Sequence, residues 1–470
     1  MNLGKTHLVE LLCTFDQYDW NGLKKFLHSP FHNQREDVKK LFEYFKNVIQ
    51  IQKKIANLDE EAAYQAIFGN GVYRAQSLRY TVSFLYQLTR KYFQHRAMDE
   101  RQLQLAPDFL DYLKHQNLNR LIRKEVNAAS SEIKNQERID QEVLFAEYLL
   151  EKERHFLQQQ RDRNDTIHLI KASSCLDWHF CLEKLRLLAP LKVHQVMTHL
   201  ILEDPFIDPV MNFVEQKLDQ SPPVVRIYFL ACQIFDDWQG DEKFITFKNE
   251  LAQNTPHLKL SHLKECFTLG INYCIRKINS GDRDYVEEVL DLYQSGLEGK
   301  AFFENGYLSR FTYKNIITAA LGLGRFEWAQ AFIEQYKQSL DPRYREDAYR
   351  YNLAILKYKL HDFDGTQELL RDLDFEDLFF NLNARLMLLK IFYESELWNA
   401  LDSHLDSFKV FIYRHRELGY QKKHYLNLIR FTRKLLKLPQ LNNQQRSLLK
   451  SKIQSENMLA EKNWLLEKIF

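Results

Sequence analysis

The sequence predicts an all-α protein: an antiparallel helix-hairpin array preceded by an N-terminal helical domain. Three observations carry that prediction. Turn-makers are scarce, with 14 Gly and 10 Pro in 470 residues; short connections between long elements favour helices over sheets. Apolar residues recur at helical spacing, as in Val38, Leu41, Phe42, Phe45 and Ile49, the pattern of a helix with one buried face. A short motif also repeats. Phe326, Phe363 and Leu397 are each followed three residues on by a small residue, Ala329, Thr366 and Ala400, at intervals of 37 and 34. That period reads as stacked helix pairs, each burying its apolar face against its neighbours.

A chain of this length exceeds one ordinary core. Four segments are expected: an N-terminal helical domain (1–98), a region of long helices (99–220), the repeats (221–438) and a C-terminal capping helix (439–470). In the first, Thr6 to Phe15, Trp20 to Leu27, Glu36 to Ile51 and Tyr73 to Phe93 read as helices, with Pro30 breaking the chain after Ser29. Asp59 is a candidate N-cap for a helix ending at Gly69. Beyond Pro107, the spans Asn117–Arg138, Gln141–Gln160 and Asp165–Leu188 read as three long helices, and Ser221-Pro-Pro marks the entry to the array. Its turns are expected at Asp236–Asp241, Asn279–Asp284, Gly322–Arg325, Leu360–Asp364 and Glu394–Glu396.

The net charge of +2 gives no global attraction to nucleic acid. Its distribution is uneven: net +2 over 1–170, −10 over 171–408 and +10 over 409–470. The acidic middle and the basic end attract each other. None of the six cysteines forms Cys-x-x-Cys, which points to reduced, buried thiols and a cytoplasmic protein. No signal-peptide core precedes Glu10, and no apolar run approaches the ~18 residues of a membrane span.

Tyr313, Ile316, Gly324-Arg-Phe326, Ala329 and Ile333, followed by Leu353, Ala354, Phe363 and Leu370, resemble tetratricopeptide repeats over about residues 311–408. The phrase Phe26-Leu-x-Ser-Pro-Phe-His-Asn looks like one found in uncharacterised bacterial proteins and implies no function. The tetratricopeptide resemblance implies an α-solenoid that binds a protein or peptide on a concave face built by the first helices. Two positions, Lys314 and Asn352, match the family's carboxylate-clamp set, but Thr318, Leu382 and Leu386 do not, so no clamp is expected. The same alignment puts Phe311, Leu321, Tyr351, Ile355, Tyr358, Arg385, Leu389 and Phe392 on the concave face. Of these, Tyr351, Tyr358, Arg385 and Phe392 are the candidate partner-binding residues.

Other motifs point to chemistry less well. Gly4-Lys5-Thr6 lacks the upstream glycine and strand of a phosphate loop. Cys175, His179 and Cys181 have no second ligand pair to complete a zinc site, so no metal and no cofactor are expected. His194 and His199 are five apart and do not share a helix face. Asp236-Asp237 sits at a predicted turn, where solvation explains it.

The helix Gly419–Leu438 is amphipathic. Lys423, Arg430, Lys434 and Lys437 form a basic stripe, with Asn427 in the same sector, opposite Tyr425, Leu428, Ile429, Leu435 and Leu436. The reading that follows is a non-enzymatic protein–protein interaction scaffold or adaptor whose partner is a protein or peptide. The alternatives are anion or nucleic-acid contact through the basic helix, and an enzyme on an α-helical scaffold.

Overall fold

The computed structural model describes residues 3–51, 58–69, 71–100, 107–136, 138–160, 162, 164–198, 202–236, 240–371, 378–419, 421–437 and 442–469. These residues form 23 α-helices and a single two-stranded hairpin. None of the described helices is long and apolar enough to cross a membrane. The chain separates into two compact units, Met1–Gln136 with Glu142–Cys175, and Glu137–Gln141 with Leu176–Phe470. Ser221, expected as the entry to a separate array, lies inside the second unit.

The first unit holds α1 (His7–Leu12), α2 (Gln17–His28), α3 (Glu36–Phe45), α4 (Glu60–Phe68), α5 (Ala75–Glu100), α6 (Pro107–His115) and α7 (Asn119–Lys134). It also holds nearly all of α8 (Gln141–Gln159) and the first turns of α9 (Ile167–Thr198). The Asp59 carboxylate caps α4 by accepting from the Ala62 amide at 2.8 Å, and Gly69 ends it with φ of 77°. One core gathers Trp20, Leu41, Phe42, Phe45, Leu78 and Leu85 from α2, α3 and α5. Another gathers Leu113, Ile122, Val126 and Leu150 from α6, α7 and α8.

The second unit continues α9 and adds α10 (Ile207–Gln216), α11 (Pro223–Asp236), α12 (Glu242–Asn254), α13 (Leu260–Asn279), α14 (Tyr285–Glu298), α15 (Arg310–Gly322) and α16 (Phe326–Tyr336). Then come α17 (Arg345–Lys359), α18 (Phe363–Leu370), α19 (Leu378–Glu394), α20 (Trp398–Arg414), α21 (Gln421–Leu435), α22 (Asn443–Ser455) and α23 (Lys462–Glu467). Consecutive helices pack as pairs, α11 on α12 through α19 on α20, and each pair touches the next.

One turn recurs between paired helices. The amides of Asp282, Arg325, Asp362 and Leu397 donate to the carbonyls of Lys277, Ala320, Lys357 and Phe392, five residues back, at 3.1, 2.9, 2.9 and 2.9 Å. This bond closes a helix C-terminus around one left-handed residue. That residue is Gly281, Gly324, His361 or Glu396, with φ of 107°, 70°, 60° and 57°. Glycine adopts this conformation freely, whereas a side chain there costs roughly 1–2 kcal/mol.

The turn fixes the repeat register. Phe326, Phe363 and Trp398 each stand two residues after the left-handed residue and open α16, α18 and α20. Ala329, Thr366 and Leu401 follow three residues later, and all three are fully buried. The third pair therefore differs by one residue from the expected Leu397 and Ala400, which are both exposed. A small residue is not required at the contact, because Leu401 fills it. One further expectation is corrected. Helix α9 does not end at Leu188 but runs on through Pro190. Asn305 and Gly306, with φ of 50° and 82°, turn a short hairpin that pairs Phe303 with Leu308. Asn-Gly between apolar residues is the usual signal for such a turn.

Candidate functional site

A largely apolar groove of about 730 Å³ lies in the second unit between α9, α11 and α13. Helix α9 contributes Glu183, Arg186, Leu187, Pro190, Val193 and His194; α11 contributes Tyr228 at the floor. The opposite wall is Ser261, Lys264, Glu265, Thr268, Leu269 and Asn272 of α13.

Three of its polar groups, Arg186, Tyr228 and Glu265, are engaged with one another. Arg186 donates to Glu265 through Nε at 2.8 Å and Nη2 at 2.6 Å, the paired geometry that best neutralises both charges. The Tyr228 hydroxyl donates to Glu265 Oε2 at 2.5 Å and lies 3.0 Å from His262 Nδ1. His262 Nε2 is 2.7 Å from Gln141 Oε1. Burial alone would push Glu265 up, but Arg186 and Tyr228 hold it below the usual carboxylate range. Burial, with the neighbouring Arg186, lowers the pKa of His262. Lys264 is ion-paired with Glu304. What the groove offers is its apolar rim, with Leu187 63% exposed.

That rim continues along α9. Leu176, Phe180 and Leu191 lie exposed on the same side as Leu187, while Cys181, Leu182, Leu185, Leu188 and Ala189 are buried on the other. A helix apolar on both sides is normally buried on both. Phe206, exposed, meets Phe180 edge to face at 6.1 Å and extends the patch.

The residues expected on a concave face lie elsewhere: Leu321, Tyr351 and Leu389 are buried, and the others stay partly exposed. Tyr351 is 2% exposed and packs against Phe380 at 4.9 Å. Tyr358 is half-buried in the same cluster. Phe392 is half-buried on the neighbouring cluster and edge-on to His404. The Arg385 guanidinium sits 4.5 Å over Phe411. Leu321 and Leu389 are buried; Phe311, half-exposed, stacks on Phe380 at 5.9 Å. The reason is spacing: α15 touches α17 and α17 touches α19, so aromatics on these first helices fill the contacts between pairs. Asn352 is fully buried and donates to the Ala348 carbonyl at 2.7 Å, turned inward as a core amide.

No protein family model, curated protein or solved structure matches the chain.

Lys423, Arg430 and Lys434 are exposed along α21, and Lys437 is exposed in the turn just after it. Arg430 pairs with Glu456 at 3.0 Å. Both Arg430 and Lys434 lie over the Phe431 ring, at 4.8 and 5.3 Å. Partial burial and the nearby Arg430 and Lys452 lower the Lys434 pKa. Asn427, expected on this stripe, is instead buried and donates to the Met458 carbonyl at 2.8 Å.

The remaining motifs find local partners. The Cys175 thiol donates to Glu147 at 3.9 Å, and burial together with that carboxyl pushes it up to about 11. His179 Nδ1 lies 3.0 Å from the Gln141 carbonyl, and Cys181 is buried in the core. Among the described residues no group of three or more His, Cys, Asp or Glu is placed to hold a metal ion. Thr6 caps α1. Asp236 pairs with Lys192 and His194 is exposed; Asp237 and His199 lie outside the described residues.

The α9 face was missed at the sequence level. Its signal is present, since Leu176, Phe180, Leu187 and Leu191 recur on one side of a span whose other side is also apolar.

Proposed function

We propose that this protein is a non-enzymatic scaffold, a tetratricopeptide-like stack of helical hairpins, that docks a protein partner on the outward face of α9 and the groove beside it. One observation supports the reading above the others: α9 is apolar on both sides and buries only one. Contiguous exposed apolar surface of this kind marks interaction sites. Arg186 and Glu265, spent on one another, favour apolar side chains of a partner over a charged ligand.

A photo-crosslinking amino acid placed at Leu187 in the source cell tests this. The expected product is an adduct with a second polypeptide. None is expected from Val72, which is 83% exposed in the first unit. Equal adducts at both positions, or none at either, overturn the reading.

The α21 stripe supports a second reading, contact with a polyanion, because four cationic side chains project from one exposed row. Binding to a heparin or nucleic-acid column that weakens steeply with salt and vanishes when all four are changed to Gln is the expected outcome. Retention unchanged by the substitutions removes it.

A further inference from the structure

We propose that the outward face of α5 binds single-stranded nucleic acid, an inference that stands independently of the α9 reading. It starts from a gap in the sequence. Residues 62–98 contain no Asp or Glu, in a chain with 63 of them. The same stretch contains Arg74, Arg79, Arg90, Lys91 and Arg96. The whole chain carries only +2, so attraction to a polyanion is a local property of this face.

The fold gathers most of that charge on one side of one helix. Leu78, Leu85, Leu88 and Tyr92 are buried, where α5 packs on α1, α2, α3 and α4. The opposite side is exposed and carries Arg79, Tyr80, Tyr86, Arg90 and Lys91, with only Gln and Ser among them. At ~100° per residue these five fall within about 140°. From Gln76 to Gln94 the face runs about 27 Å along the helix. Arg96 points elsewhere and is ion-paired with Asp19. Among the described residues Arg79, Arg90 and Lys91 form no ion pair. Glu60, the acid that feels Arg79, accepts from the Tyr73 hydroxyl at 2.6 Å.

The tyrosines select the ligand. Tyr80 is 63% exposed and Tyr86 37%, and the Gln76 amide donates to the Tyr80 hydroxyl at 3.3 Å. Cations for phosphates and rings for bases are the two halves of a single-strand site. A duplex keeps its bases stacked on one another and leaves the rings nothing to cover. A membrane surface calls for Leu, Phe or Trp on the docking side, whereas the aliphatic side chains of α5 are spent in the core. An acidic protein matches the charge but not the rings. The contrast with α21 is direct. There Arg430 and Arg433 are paired with Glu456 and Asp406, and the ring beside the cations, Phe431, is buried.

Fluorescence anisotropy of the full chain tests the proposal, with labelled T-rich DNA and U-rich RNA strands of about 12 nucleotides as probes. Saturable binding is expected at about 20 mM salt, weakening with a log–log slope near −2, from three cations at about −0.7 each. Tyr80→Ala with Tyr86→Ala should weaken binding at least about fivefold and leave the slope in place. Tyr80→Phe with Tyr86→Phe should bind as wild type does. Arg79→Gln, Arg90→Gln and Lys91→Gln together should flatten the slope. These side chains face solvent, so each variant should keep the wild-type circular dichroism spectrum. Tyr80→Ala alone repeats the test at the more exposed ring.

No binding of either strand at low salt overturns the proposal. So does binding unchanged by the two Tyr→Ala substitutions, which leaves a polyanion contact only, and so does a duplex bound as tightly as the strand. Tighter binding to phosphatidylserine vesicles or to polyglutamate overturns it in favour of a membrane or an acidic protein. Binding lost with the four α21 cations but kept without the three on α5 moves the site to α21. Crosslinking at Leu187 is read separately, and its failure leaves this proposal untouched.

Discussion

Helices α9 and α21 both present a regular row of side chains to solvent within the same unit, and they do so for opposite reasons. In α21 the row is Lys423, Arg430, Lys434 and Lys437, and the apolar side, with Leu428, Ile429 and Leu435, is buried. Its amphipathic pattern is fully spent by folding. In α9 the buried side is just as apolar, yet the outward row is Leu176, Phe180, Leu187 and Leu191. Folding leaves that pattern half used. A solvated basic row needs no partner, because exposed Lys and Arg heads are already well hydrated. An exposed apolar row gains roughly 25 cal/mol per Å² on being covered. The contrast is what supports the proposed docking face on α9, and it leaves α21 as surface unless a polyanion finds it.

The largest effects should separate the two sides of each helix. Leu185→Ala on the inner side of α9 and Leu428→Ala on the inner side of α21 are each expected to destabilise by about 2–5 kcal/mol in urea unfolding. Leu187→Ala and Lys434→Gln on the outer sides are expected within about 0.5 kcal/mol of wild type. Comparable losses from inner and outer positions on α9 erase the contrast.

Next in size is the repeat contact, which holds the array apart from either face. Ala329 is fully buried, so Ala329→Leu should overpack it and cost about 1–3 kcal/mol. Leu401 occupies the matching site, so Leu401→Ala should also destabilise, by a cavity rather than by crowding. A melt like wild type for both undoes the register set by the left-handed turns.

Acid should weaken the region around α21 through His404 on α20. Burial lowers this imidazole to about 4, against the partial support of its 2.8 Å contact with the Arg385 carbonyl. Its folded pKa lies below the ordinary ~6.5, so the unfolded chain binds the proton first. Stability is then present above pH ~6.5 and lost as pH falls toward 4, about 2 kcal/mol of it by pH 5. His262 near α9 is lowered in the same direction. His404→Gln should flatten the decline between pH 6.5 and 5; an unaltered slope shows that His404 does not titrate as described. Smallest of all, changing the four α21 cations to Gln should shift stability by no more than about 1 kcal/mol, the usual limit of exposed ion pairs such as Arg430–Glu456.

Much of the fold was legible. The N-cap at Asp59, the helix after Glu36, the turn at Gly324 and the apolar side of α21 follow from capping chemistry and helical period, which act within a few residues. The candidate site was not legible in the same way. Tyr351, Tyr358 and Phe392 have the residue types of a binding face, but aromatic side chains serve equally well between packed helices, and residue type does not separate the two. His361 and Glu396 hide the repeated turn, since neither advertises a left-handed backbone as glycine does. With that marker missing, Leu397 and Ala400 stood in for Trp398 and Leu401.

The sequence by itself determined the all-α class, most helix spans, the segregation of charge on α21 and the apolar character of α9 on both sides. Each follows from local periodicity and composition, which neighbouring residues carry among themselves. Only the tertiary structure decided which side of α9 faces in, that α9 runs through Pro190, and that Tyr351 is core while Tyr358 and Phe392 stay partly exposed. Those outcomes depend on which helices from distant parts of the chain meet. An apolar row looks the same in a sequence whether a neighbour covers it or solvent does.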